Sequence, residues 1–170
     1  MEAIKLEKRK IYDPILRLIH WWNALALAGL LGTGWCSDLL EHGAYKAALW
    51  QVHILLGYGL IVGLAARLAW GLVGPQHARF SDMWHPRVWW NALTTLRFLP
   101  TRRFGHHELA SLAYLGVYGL VAVMAITGLA LAAIEQETGL LLAWLPDSLW
   151  NEDLFGEPHE FVANLLAAFI

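Results

Sequence analysis

Four apolar runs, separated by polar connections, organise this chain. They cover about 15–35, 47–72, 109–134 and 158–170. A helix of about 20 apolar residues crosses the roughly 30 Å hydrocarbon core of a bilayer. The first three runs are long enough. The apolar part of the fourth, Glu160 to Ile170, is too short to cross, and it ends on Ala167-Ala168-Phe169-Ile170 without a polar stop or a basic flank. The expected fold is all-α. It is an integral membrane four-helix bundle whose fourth helix is truncated at the C-terminus, and residues 1–170 form one membrane-embedded domain.

Composition agrees with that pattern. The chain is 58% hydrophobic and 15% charged, against about 45–50% and about 25% in soluble domains. A single cysteine, Cys36, excludes an internal disulfide and a cysteine metal cluster. The polar start MEAIKLEKRK leads into a span-length run with no small-residue cleavage site, so no cleaved signal peptide is expected. Net charge is −2, and no nucleic-acid partner is expected.

Lysine and arginine set the orientation. Lys5, Lys8, Arg9 and Lys10 precede the first run. Arg79, Arg87, Arg97, Arg102 and Arg103 lie between the second and third. The first connection has only Lys46. The last has no basic residue and holds Glu135, Glu137, Asp147, Glu152, Asp153 and Glu157. The N-terminus and second connection are therefore expected on the cytoplasmic side of the membrane. The second connection is long, and its Met83-Trp84-His85-Pro86-Arg87-Val88-Trp89-Trp90 segment is expected at headgroup level or against a partner subunit. Leu140 to Leu145 is expected to form a short amphipathic element on the outer face. Thr33-Gly34 and Thr127-Gly128 echo one another near the outer ends of the two outward-running spans.

Ionisable side chains inside a span are costly and are functional candidates by default. His20 lies in the cytoplasmic half of the first span. His53 opens the second span and His159 the fourth; both spans run inward, so these two share the outer level. Two neutral imidazoles facing each other at one depth are what a bis-histidine haem iron requires. A partner for His20 at its own depth would lie about 14 residues after His159, some 21 Å deeper along a helix and past Ile170. The bland alternative for each histidine is a hydrogen bond to a neighbouring helix. His106 and His107 open the third span at the water boundary, where one can bond a haem propionate. His42, His77 and His85 read as surface residues.

Gly57, one turn after His53, leaves room for a flat macrocycle, although Gly57, Gly59 and Gly63 could equally serve helix packing. Arg17 and Arg67 are candidates to pair with propionates through their forked donors. The alternative for both is snorkelling to cytoplasmic headgroups.

Together, Arg17-x-x-His20-Trp21, His53-x-x-x-Gly57, Arg67 with Trp70-Gly71, Gly105-His106-His107 and Glu157-x-His159-Glu160 resemble the prokaryotic cytochrome b561 family. That family includes the cytochrome b subunits of nickel–iron hydrogenases and is similar to the membrane subunit of formate dehydrogenase. The resemblance runs from about Ile11 to Ile170. It implies four helices and two b haems. The outer haem would be held by His53 and His159, and the inner one by His20 and a second histidine of the fourth span. It also implies electron exchange between membrane quinone and a periplasmic redox protein, either a hydrogenase or a c-type cytochrome.

The expected function is therefore electron transfer between such a partner and quinone, with acidic outer connections available to dock a basic face. One alternative is a self-contained oxidoreductase that draws electrons from superoxide or a cytochrome and reduces quinone. Another is a haem-free anchor or transporter with a histidine proton relay, which the near absence of carboxylates in the first three spans disfavours.

Overall fold

The computed structural model describes residues 13–40, 42–95, 108–137 and 139–169. Among them are five α-helices and no strand: α1 (Pro14–Asp38), α2 (Ala44–Val73), α3 (Pro86–Thr95), α4 (Glu108–Gln136) and α5 (Glu152–Phe169). Asp13 starts α1 as N-cap, its carboxylate accepting from the Ile15 amide at 3.0 Å, with Pro14 in the first helical turn. α1, α2 and α4 are long and apolar enough to cross a membrane. The 25 residues of α1, the shortest of the three, extend about 37 Å at 1.5 Å per residue.

Large apolar side chains such as Leu25, Leu55, Leu72 and Ile126 point outward from these helices, which suits a lipid surrounding and not water. The buried core is shared by all four long helices: Ala26, Leu27 and Leu30 of α1, Leu60 of α2, Val121 and Met124 of α4, and Val162 and Leu166 of α5. Within that core α1 packs mainly on α2 and α4 mainly on α5. α1 and α2 come close at Gly63, where a Cβ would collide with the Asn23 side-chain oxygen and the Trp22 indole. The Trp22 indole N–H also donates to the Gly59 carbonyl at 2.8 Å. Asp13 accepts from the Trp70 indole, tying the start of α1 to the end of α2.

Three sequence expectations need adjustment. α5 begins at Glu152, not near Pro158. Asn151 accepts from the Asp153 amide at 3.0 Å, and Glu152 and Asp153 sit at the positive end of the helix dipole. Pro158 is thus inside the helix and not its opening residue. Leu140 to Leu145 is wound into turns, with Trp144 and Leu145 donating to the Leu141 carbonyl at 2.9 Å each. His85 is half-buried and is not a surface residue: its carbonyl accepts from Val88 and Trp89 at the start of α3, and its Nδ1 is enclosed. Trp89 of α3 is buried while Trp84 and Trp90 are exposed, so the tryptophan-rich segment is a short helix with one apolar side turned inward.

Candidate functional site

His53 on α2 and His159 on α5 face each other across the core, with ring centroids 6.4 Å apart and planes at 63°. Each is held from behind by a threonine of the neighbouring helix. Thr33 Oγ1 lies 2.9 Å from His53 Nδ1, and Thr127 Oγ1 lies 2.8 Å from His159 Nδ1. The glycine after each threonine leaves space for the ring. A Cβ on Gly34 would stand 3.9 Å from His53 Cε1, and one on Gly128 would stand 3.1 Å from His159 Cε1. The Thr-Gly echo in the sequence is therefore one device used twice, once in the α1–α2 pair and once in the α4–α5 pair. The repetition was legible; that the threonines touch the histidines was not, because it depends on helix rotation.

The two imidazoles open into a cleft lined otherwise by apolar groups such as Leu30, Leu60 and Met124. Gly57 lines the same cleft, and a Cβ there would meet no protein atom within 4 Å. Gly63, by contrast, is filled by Asn23 and Trp22. The two possibilities raised for these glycines are thus divided between them: Gly57 faces open space, and Gly63 packs helices.

Elsewhere the candidate residues are less gathered. Arg17 and His20 are exposed on α1. The His20 ring meets Trp21 edge-on at 6.2 Å, and no second imidazole approaches it among the described residues. Thr33 touches His53, so His20, lower on the same helix, lies about 20 Å from that level at 1.5 Å rise per residue. His106 and His107 lie outside the described residues.

Arg67 is buried, at 4% exposure, so it does not snorkel to the headgroups. Its Nε donates to the Tyr118 hydroxyl at 2.9 Å and its Nη2 points to the Met83 sulfur at 3.8 Å. The guanidinium carbon stands 4.4 Å from the Phe80 ring centre and 5.3 Å from that of Tyr118. Its buried Nη1 has no hydrogen-bond partner among the described residues. A cation caged by aromatic faces with one donor left over is suited to an anionic group.

The sequence profile described as prokaryotic cytochrome b561 matches residues 11–170. The chain belongs to the prokaryotic cytochrome b561 family. Among curated relatives of this cytochrome, the probable Ni/Fe-hydrogenase B-type cytochrome subunit of Azotobacter vinelandii is 32% identical, with 86% of this chain and 65% of that protein covered. The subunit of the same description from Azotobacter chroococcum is 30% identical at the same coverage. The probable Ni/Fe-hydrogenase 1 B-type cytochrome subunit of Escherichia coli is 26% identical, over 71% of this chain and 59% of that protein. The chain thus spans somewhat less than two thirds of the length of these relatives. No solved structure matches it.

Membership makes this a multi-pass membrane b-type cytochrome and implies haem b. The His53–His159 pair would suit that group. Metal–imidazole bonds of about 2 Å, with just over 1 Å from each nitrogen to its ring centre, would set two rings sharing one metal about 6 Å apart. The observed separation is 6.4 Å. Beside the pair, the open face of Gly57 leaves a side-chain-free wall against which a flat macrocycle would fit.

Proposed function

We propose that this cytochrome transfers electrons across part of a bacterial inner membrane, between a periplasmic redox protein and membrane quinone. His53 and His159 would hold one haem b near the outer face, with Gly57 against the macrocycle. The observation that carries this is the facing pair of imidazoles at 6.4 Å, each tied at Nδ1 by a threonine. A bound haem b supplies a reversible one-electron centre; this chain positions it, buries it and sets its potential.

α1, α2, α4 and α5 would form a four-helix membrane bundle with its N-terminus cytoplasmic, in keeping with the basic residues of the N-terminus and second connection. His20 would be one ligand of a second, inner haem. Arg67, with its spare Nη1, and the exposed Arg17 would meet propionates on that side, and His106 or His107 would do so at the start of α4. The acidic residues from the end of α4 to the first turns of α5, Glu135, Glu137, Asp147, Glu152, Asp153 and Glu157, would face the periplasmic partner. Relatives described as hydrogenase cytochrome subunits make a hydrogenase the first partner to test, with a c-type cytochrome second. Quinone would exchange electrons at the inner level.

Purified protein in lipid nanodiscs tests the proposal. Reduction should give a sharp b-type band, and a short-chain quinone should then reoxidise it within the mixing time of a stopped-flow instrument or seconds after it. A colourless protein, or a reduced band that quinone leaves untouched, would overturn it.

A further inference from the structure

We propose that Thr33 and Thr127 are paired positioning residues that fix the tautomer of His53 and His159 and thereby lower the reduction potential of the haem held between them. This rests on the haem assignment above. Each threonine hydroxyl has one proton to donate. Thr33 Oγ1 lies 2.8 Å from the Gly29 carbonyl, and Thr127 Oγ1 lies 2.8 Å from the Val123 carbonyl. These are the back-bonds of helical threonines to the residue four positions earlier. A carbonyl can only accept, so each hydroxyl proton belongs to its own helix. The oxygen then offers the histidine lone pairs alone.

Each Nδ1, at 2.9 Å for His53 and 2.8 Å for His159, must therefore carry a hydrogen and donate it. The Thr33 hydroxyl also lies 3.0 Å from the Leu30 carbonyl, another acceptor on its own helix. A neutral imidazole protonated at Nδ1 has a bare Nε2, the atom an iron ligand needs. The two threonines thus select the ligating nitrogen before any metal arrives, and they hold both rings at one orientation. An acceptor on the far nitrogen also raises ligand basicity. A more basic imidazole favours ferric over ferrous iron, and here the effect acts on both sides of the same metal.

Valine keeps the shape of threonine and removes the oxygen, whereas serine keeps the oxygen. The full-length protein is purified with Thr33→Val, Thr127→Val, both together, and Thr33→Ser and Thr127→Ser. The readouts are equilibrium redox titration of the b band, haem content per chain and low-temperature electron paramagnetic resonance of the ferric form. Each valine variant should titrate at a higher midpoint than wild type with changed ferric g-values. The double variant should lie higher than either single one, and the serine variants should return towards wild type. Midpoints and g-values unchanged in the valine variants, or a downward shift, would overturn the proposal. If a valine variant loses its haem, retention in the matching serine variant supports the proposal, while loss in both assigns the effect to methyl packing and overturns it. A wild-type chain that takes up no haem overturns the parent assignment and this inference with it. Unchanged midpoints with haem in place overturn this inference alone.

Discussion

Arg67 of α2 donates from Nε to the Tyr118 hydroxyl of α4 across 2.9 Å, joining the two halves of the helical core at a buried cation. Tyr118→Phe keeps the ring beneath the guanidinium and removes the acceptor. A buried donor left without its partner costs about 1–3 kcal/mol. The variant should unfold earlier in a detergent denaturation series by that amount, with helix content unchanged before the transition. Arg67→Lys should do no better, because an ammonium cannot both reach Tyr118 and lie flat between two aromatic rings. A Tyr118→Phe denaturation curve superimposable on wild type would show that the contact contributes nothing.

Gly57 and Gly63 lie on the same helix and should fail in opposite ways. Gly57→Leu places a side chain where a Cβ meets no protein atom and where the cleft is open. It should preserve circular dichroism and elution volume while sharply reducing haem content. Gly63→Ala drives a methyl into Asn23 and Trp22, and overpacking of this kind costs about 1–3 kcal/mol. That variant should be less stable whether or not haem is present. Equal haem retention in the two variants would contradict the division of labour between these glycines.

The glycines beside the threonines give a graded test. A methyl on Gly34 would make an ordinary contact with His53 Cε1 at 3.9 Å, while one on Gly128 would crowd His159 Cε1 at 3.1 Å. Gly34→Ala should hold haem as wild type does. Gly128→Ala should displace the His159 ring and lose haem to a scavenger about tenfold faster, the scale typical of disturbed groups around a metal ligand. The reverse ranking would mean that His159 does not need its observed position.

Much of this architecture could be read from the residues, because long apolar runs have few structural outcomes. The extents of α1, α2 and α4 agree with the hydrophobic runs to within a few residues. α5 was legible only from Pro158 onward, since the polar Glu152–Glu157 turn looks like connection until Asn151 is seen to cap it. The pairing of His53 with His159 follows from counting depth along antiparallel helices. The role of Thr33 and Thr127 does not, because which helix face turns inward is decided by packing across the whole core. Arg67 was visible as a charge near a span end. Its burial was not, because the side chains that enclose it come from α4 and from the segment around Phe80 and Met83.

The most direct test removes one imidazole of the His53–His159 pair. Haem per chain and the ferric low-spin spectrum are measured for wild type, His53→Ala and His159→Ala, each purified under haem-replete expression. The expected result is the loss of one haem per chain in both variants, with the same low-spin signal missing from each. A variant that keeps the wild-type haem content and spectrum would show that these two histidines do not hold the metal.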